Sequence, residues 1–123
     1  MQASNSVSQE QISKQYSATR KRIARQLKSK KVFLFLAETF QALGDPSRIQ
    51  IVWTLSQGEL SVGDIAELLQ MSQPQVSHHL RLLRNLHLVK KRKDGRSAFY
   101  SLDDEHIDCI LKSGIEHVED LID

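Results

Sequence analysis

The pattern between residues 61 and 102 constrains the fold more than any other part of the chain. Two short amphipathic helical patterns occur there in succession, and Ser61 and Ser72 stand where serine side chains cap the first turn of a helix. Two runs of alternating polarity follow, separated by Asp94-Gly95, a dipeptide typical of hairpin turns. Two short helices joined by a tight turn and followed by a hairpin predict a winged helix-turn-helix fold, mainly α with a small β-hairpin.

Helical patterns also flank this region on both sides. Residues 8–30 place a narrow apolar stripe on one helix face, formed by Ile12, Tyr16, Ile23 and Leu27. Residues 32–43 are apolar on nearly every side, which predicts a central, well-buried helix. Trp53, on the helix after it, is expected in the core. Residues 104–121 form a last amphipathic helix.

Charge is distributed unevenly along the chain, although the formal net charge is only +2. Residues 1–31 carry eight Lys or Arg and one Glu, whereas residues 103–123 carry one Lys and eight acidic residues. The predicted organisation is therefore a basic N-terminal arm and helix over residues 1–31, followed by one domain over residues 32–123. A basic arm favours a polyanionic partner, although solvated helix faces explain such charges equally well.

Several functional classes have no signal in the sequence. The longest purely apolar run, Val32–Ala37, has six residues, whereas a membrane span needs about 20. Together with the polar N-terminus, this predicts a cytoplasmic protein without a membrane partner. The single cysteine, Cys109, cannot form an internal disulfide or a thiolate cluster. Glycine-rich nucleotide motifs and the nucleophile elbow of hydrolases are absent from the sequence, so we do not expect an enzyme.

The second helix of the predicted helix-turn-helix carries side chains suited to reading DNA. Its buried face is predicted to consist of Val76, Leu80 and Leu83. The candidates for DNA contacts on the rest of the helix are Gln73, Gln75, Ser77, His78 and Arg81. Gln can read adenine, Arg can read guanine or hold a phosphate, and Ser and His can hydrogen-bond to either. For this segment alone, an ordinary amphipathic helix with a polar outer face is an equal alternative.

Cations on the predicted hairpin favour the DNA-binding interpretation. Five Lys or Arg residues lie between residues 90 and 96. We assign Lys91, Lys93 and Arg96 to phosphate contacts beside the groove. The alternative is a charged hairpin that is only solvated. The predicted partner is therefore double-stranded DNA.

Residues 36–102 resemble the ArsR/SmtB family of bacterial metal-responsive repressors. The resemblance rests on residues 43–69 (LGDPSRIQIVWTLSQGELSVGDIAELL), 72–89 (SQPQVSHHLRLLRNLHLV) and 90–102 (KKRKDGRSAFYSL). It implies a winged-helix homodimer whose first and last helices form the interface, so that the stripe on residues 8–30 pairs with the apolar face of residues 104–121 across a two-fold axis. It also implies binding to a palindromic operator, from which an inducer releases the protein.

The resemblance further implies a sensor site on the last helix. Family members that sense through thiolates carry cysteines at the start of the first helix of the helix-turn-helix. This chain has Ser61-Val62-Gly63-Asp64 there, so thiolate sensing of arsenic, lead or cadmium is not expected. The family's other site follows the pattern Asp-x-His, ten residues, then His-x-x-Glu or His-x-x-His. The residues of this chain at those positions are Asp104, His106, His117 and Asp120.

The spacing of these residues is consistent with a site shared by two chains. His106 and His117 are 11 residues apart, close to three turns, so they share a helix face. At about 1.5 Å per residue they lie roughly 16 Å apart along the axis, too far to share one ion. Two antiparallel copies of the helix would bring the first half of the site in one chain to the second half in the other. Two imidazoles and two carboxylates suit Zn²⁺, with Co²⁺ or Ni²⁺ as alternatives.

Two questions stay open at this point. Asp120 departs from the family, which more often has Glu or His there, so Glu116, Glu119 or a water are candidates to replace it. The trigger itself has an alternative, because oxidation of Cys109 near the two-fold axis could release the repressor instead of a metal. The opposing interpretation of Cys109 is a buried, inert thiol.

Overall fold

The computed structural model describes residues 8–123 of the chain. The elements, in chain order, are α1 (Gln9–Gln26), α2 (Lys30–Leu43), α3 (Pro46–Ser56), β1 (Leu60–Ser61), α4 (Val62–Leu69), α5 (Gln73–Asn85), β2 (Val89–Asp94), β3 (Ser97–Leu102) and α6 (Glu105–Ile122). The described residues divide into two compact units with a boundary between Leu34 and Phe35. The first seven residues of the predicted basic arm lie outside the described residues. The winged helix-turn-helix fold is confirmed, with α4 and α5 as its two helices and β2–β3 as the wing.

The short helices begin where the predicted caps place them. The Ser61 hydroxyl accepts a hydrogen bond from the backbone N–H of Asp64, and the Ser72 hydroxyl accepts one from Gln75. Both are capping boxes, because the third residue of each helix also accepts from the backbone of its cap. Between the two helices, Gln70 adopts a left-handed φ of 56°, which ends α4 and turns the chain toward α5.

The sheet has one strand more than the sequence pattern predicts. The order is β1-β3-β2, and both pairings are antiparallel. The additional strand, β1, has only two residues, and Leu60 pairs with Tyr100 of β3. Because a two-residue strand has no alternation to detect, only its pairing with β3 reveals it.

One hydrophobic core holds the helix-turn-helix to the sheet. Its most deeply buried side chains, each less than 2% exposed or close to it, come from α3, α4, α5 and β2: Ile51, Val52, Ile65, Val76, Leu80, Leu83, Leu88 and Val89. The buried face predicted for α5 is thus confirmed. From α6, Ile107 and Leu111 complete the core, so the last helix is fixed to the reading domain through its first half.

Two predictions about burial are wrong for the single chain. Only Ala42 and Leu43 of α2 are buried, whereas Phe33, Leu34 and Phe35 are about half exposed. Trp53, which was expected in the core, is 47% exposed. Hydrophobicity on all sides of a helix shows that its surface needs cover, but one copy of this chain supplies cover on one side only.

Helix α1 has no buried residue at all. Of its predicted stripe, Tyr16, Ile23 and Leu27 are each more than half exposed, and Ile12 is half-buried. Among the described residues, no helix combines the length and the apolar character needed to cross a membrane.

Candidate DNA-binding interface and sensor helix

Helix α5 presents a polar surface on the side opposite its buried face. Gln73, Gln75, His78 and Arg81 are exposed, and Ser77 is half-buried. Because Val76, Leu80 and Leu83 fix the opposite side in the core, these polar side chains cannot rotate inward. An α-helix held in this way can enter the major groove with its outer face toward the base edges.

Gln75 has a second role that competes with base reading. Its side-chain oxygen accepts a hydrogen bond from the backbone N–H of Ser72 at 3.1 Å, as the partner in the capping box. Reading adenine with both ends of a Gln amide requires that oxygen as the acceptor for the adenine amino group. The structure therefore leaves the side-chain amide N–H₂ of Gln75 as the group that can address DNA while the cap is intact.

The wing separates its cations onto two faces. Side chains alternate along a strand, so Lys91 and Lys93 share the face of the buried Val89, whereas Lys90 and Arg92 point to the other face. The Val89 face is the one that packs toward α5, and Lys91 is half-buried there. The cations predicted to contact phosphate on β2 are thus on the same side of the sheet as the reading helix.

Arg92 is engaged within the protein. Its guanidinium forms two hydrogen bonds with the Glu59 carboxylate, at 2.7 and 3.1 Å, and lies 5.2 Å from the centre of the Phe99 ring. The hydrogen bond from Arg92 holds the pKa of Glu59 below its usual value. Sequence reasoning missed Glu59, because the 33 residues between the partners give no local signal.

The tip of the wing carries the third predicted phosphate contact. Gly95 adopts a φ of 63°, a left-handed conformation that glycine takes without strain. Arg96 follows it and is exposed between the ends of β2 and β3. Among residues 8–123, neither Lys93 nor Arg96 forms an ion pair, so both are available to a phosphate.

The predicted sensor residues occupy both ends of α6. Asp104 caps the helix, and its Oδ1 accepts hydrogen bonds from the backbone N–H groups of His106 at 2.9 Å and Ile107 at 3.3 Å. Desolvation raises the pKa of Asp104, but these hydrogen bonds outweigh it, and the pKa lies below its usual value. The His106 Nδ1 atom is 3.4 Å from the same Oδ1. The structure thus brings this half of the predicted site together.

The other half lies at the far end of the helix. His117 and Asp120 are exposed, as are Glu116 and Glu119. Over residues 8–123 of one chain, no three His, Cys, Asp or Glu side chains are grouped closely enough to hold a metal ion. Cys109 is exposed between the two halves, so the interpretation of this residue as a buried thiol is wrong for the single chain.

Comparison with known proteins identifies the family. The model of the bacterial regulatory protein arsR family matches residues 45–91, which run from the cap of α3 into the wing. A cadmium resistance transcriptional regulatory protein CadC homolog of Staphylococcus aureus is 45% identical over 67% of this chain and 69% of its own length. The transcriptional regulator NmtR of Mycobacterium tuberculosis is 49% identical over 70% of this chain and 72% of its own.

A solved structure agrees with the fold. A homodimeric winged helix-turn-helix DNA-binding domain of Mycobacterium bovis is 27% identical and superimposes with a TM-score of 0.67, covering 76% of this chain and 89% of that one. These similar proteins are regulators and not enzymes, which confirms the expectation from the missing catalytic motifs. From the matched segment, the identity to the two regulators and the shared fold, this chain belongs to the ArsR family of bacterial regulatory proteins.

Proposed function

We propose that this protein is a homodimeric repressor that binds a palindromic operator in double-stranded DNA and is released from it by zinc bound between the last helices of the two chains. The observation that carries the DNA-binding part is the common orientation of the polar face of α5 and the Lys91–Lys93 face of the wing. A reading helix flanked by unpaired cations is the arrangement that combines base contacts with phosphate contacts.

Exposed apolar surface supports the dimer. Tyr16 and Leu27 of α1 are each 65% exposed, and Leu121 of α6 is 72% exposed. Surfaces of this kind mark association sites in soluble proteins. Gly114, inside α6, adds a second argument, because a Cβ placed there meets nothing in its own chain. Glycine inside a helix costs about 1 kcal/mol relative to alanine, and it leaves room for the backbone of a second helix to approach.

The chemistry of the donors on α6 supports zinc as the inducer. Asp104 with its lowered pKa is a carboxylate near neutral pH, and His106 lies beside it. These two groups fit one half of a four-ligand set, and His117 with Asp120 would complete it from a second chain. Bound there, Zn²⁺ would supply coordination bonds that join the two α6 helices. Two regulators similar to this chain have names that refer to cadmium and to arsenical resistance, and both assignments belong to those proteins.

The start of α6 is connected to the end of the reading helix. The backbone N–H of Asp103 donates a hydrogen bond to the carbonyl of Leu88 at 3.0 Å, and the N–H of Leu88 donates to Leu83 of α5 at 2.9 Å. A change in the position of the sensor helix is therefore passed to the side of α5 that is anchored in the core. Half-sites in DNA are spaced by one helical turn, about 34 Å, so a small rotation misplaces both reading helices at once.

Binding to a selected duplex, with and without zinc, tests the proposal. A duplex recovered by the protein from a random-sequence library serves as the operator, and fluorescence anisotropy measures its affinity. We expect zinc to weaken binding by about 1–3 kcal/mol of coupling, and the operator to weaken zinc binding by the same factor. Unchanged operator affinity at saturating zinc would remove zinc as the inducer and leave the DNA-binding part intact.

The exposure of Cys109 favours one alternative trigger. Its thiol is free and accessible on α6, between the two halves of the proposed metal site. Peroxide in place of zinc tests oxidation, with Cys109→Ser as the control. Release of wild type but not of Cys109→Ser by peroxide, together with no response to zinc, would establish this alternative in place of the metal.

A further inference from the structure

A cationic cleft lies between the C-terminal half of α5 and the inner face of the wing. It has a volume of about 540 Å³, and its polar lining consists of Ser77, Arg81, Arg84, Asn85, His87 and Lys91. Leu80 and Tyr100 form its buried floor. The cleft is therefore bounded by both parts of the proposed DNA-binding surface, and its base belongs to the rigid core.

The charges in the cleft are uncompensated. Arg81, Arg84 and Lys91 line it, and no acidic side chain does. Within the part of the chain that the structure describes, none of these three cations forms an ion pair, in contrast to Arg92 on the opposite face of the same strand. Three cations around one concave surface repel one another, so an anion bound among them gains from all three.

The turn at the end of α5 carries an unusual residue. His87 has a φ of 59° at the position after the helix where glycine is the ordinary choice. Backbone bonds hold it there, because His87 N–H donates to Arg84 and the N–H of Leu88 donates to Leu83. A non-glycine residue in this conformation is strained, and such strain occurs preferentially at binding sites. Here the strained turn places an imidazole at the rim of the cationic cleft.

We propose that this cleft holds a backbone phosphate of the DNA duplex, with Arg84 and His87 as phosphate-binding residues beside Arg81 and Lys91. This inference rests on the proposed function, because it divides the DNA-facing residues into two groups. Side chains in the first turns of α5 face the bases, whereas the cleft residues grip the backbone beside them. Contacts to phosphate fix the register of a protein on the duplex and carry no sequence information.

Salt dependence separates the cleft from diffuse positive charge. We expect Arg84→Ala and Lys91→Ala to lower affinity equally for the selected duplex and for an unrelated duplex of the same length. Each should reduce the slope of log K against log salt by about 0.9 for the phosphate contact it loses. Lys90→Ala is the matched control, because Lys90 is adjacent on β2 but lies on the other face. An equal loss of slope in Lys90→Ala would overturn the assignment.

His87→Gly tests the strained turn without risk to the fold. Glycine is favoured at this φ, so circular dichroism and thermal unfolding should show a protein at least as stable as the wild type. Affinity for both duplexes should nevertheless fall. Unchanged affinity in a folded His87→Gly protein would remove His87 from the cleft's function.

Single methylphosphonate substitutions in the selected duplex locate the phosphate. One position in each half-site should weaken binding of the wild type, and the same substitution should cost Arg84→Ala much less, because the contact is already lost. Strictly additive losses at every position would contradict the cleft as the phosphate site, while leaving the repressor proposal standing. If the wild type binds neither the selected nor the unrelated duplex, the proposed function itself fails.

Discussion

Arg92 reaches across the ring of Phe99 and closes two hydrogen bonds on the carboxylate of Glu59. Arg92 belongs to β2, whereas Glu59 directly precedes β1, so the pair ties the wing across all three strands of the sheet. One of the five cations between residues 90 and 96 is thereby used within the fold. The wing's orientation and its affinity for phosphate therefore depend on different residues.

The pair gives stability a defined pH dependence. The pKa of Glu59 is lowered in the folded protein by its hydrogen bond with Arg92. Its contribution is therefore fully present above the unfolded value of 4.5 and is lost as pH falls through the lower, folded pKa. We expect Glu59→Gln to be less stable than wild type at neutral pH, with a difference that shrinks below pH 4.5. Urea midpoints across pH measure this, and a difference that persisted at the lowest pH would contradict the role of the charge.

The wing predicts a second, independent effect on DNA affinity. Lys93→Ala and Arg96→Ala should each weaken specific and non-specific binding, and each should reduce the salt slope by about 0.9 for the lost phosphate. Arg92→Ala is the internal control, because its charge is already engaged by Glu59 and should leave the slope nearly unchanged. Anisotropy titrations over a salt series make the comparison. Normal binding by both variants at every salt concentration would exclude the wing tip from the interface.

Base reading by α5 can be separated from helix capping. His78→Ala should lower affinity for the selected duplex far more than for an unrelated one, because His78 faces base edges. Gln75→Glu retains the oxygen that accepts from Ser72 and so preserves the capping box, but it loses the amide N–H₂. We expect it to fold normally and to lose sequence preference. Equal losses on both duplexes would reassign these residues to phosphate contact.

The dimer is predicted to form without metal. Sedimentation at micromolar concentration should show two chains per particle. Leu121→Asp should yield a folded monomer, because this side chain is 72% exposed in one chain and its replacement leaves the core untouched. Leu68→Asp is the control, since Leu68 is 62% exposed on α4, away from the α6 surface. A monomeric wild type would contradict the cross-chain sensor site as well.

The sensor site predicts a loss of response without a loss of DNA binding. His117→Ala should bind the operator like wild type and should no longer be released by zinc. Asp120→Ala should have a smaller effect, because Glu119 or a water can replace its shorter carboxylate. Glu105→Ala, on the same helix but outside the proposed ligand set, should respond normally. Anisotropy with added zinc measures all three, and normal release of His117→Ala would exclude the site on α6.

Local sequence signals determined much of this structure. The caps at Ser61 and Ser72, the Asp94-Gly95 turn and the apolar spacing of α5 act through neighbours a few residues away, so the winged helix-turn-helix could be predicted from them. The residues of the proposed metal site followed from their spacing and from the family resemblance. Their role stays a prediction, because the proposed ligands would come together only across two chains.

Only the tertiary structure decided which chemically similar residues do what. Arg92 and Lys91 are neighbours of like charge, but the pleat of β2 directs one to Glu59 and the other into the cleft beside α5. The partners of such side chains lie tens of residues away, and nothing local encodes them. The same reason explains the errors on α2 and Trp53. Hydrophobicity specifies that a surface must be covered, but whether the cover comes from the same chain depends on how the elements pack.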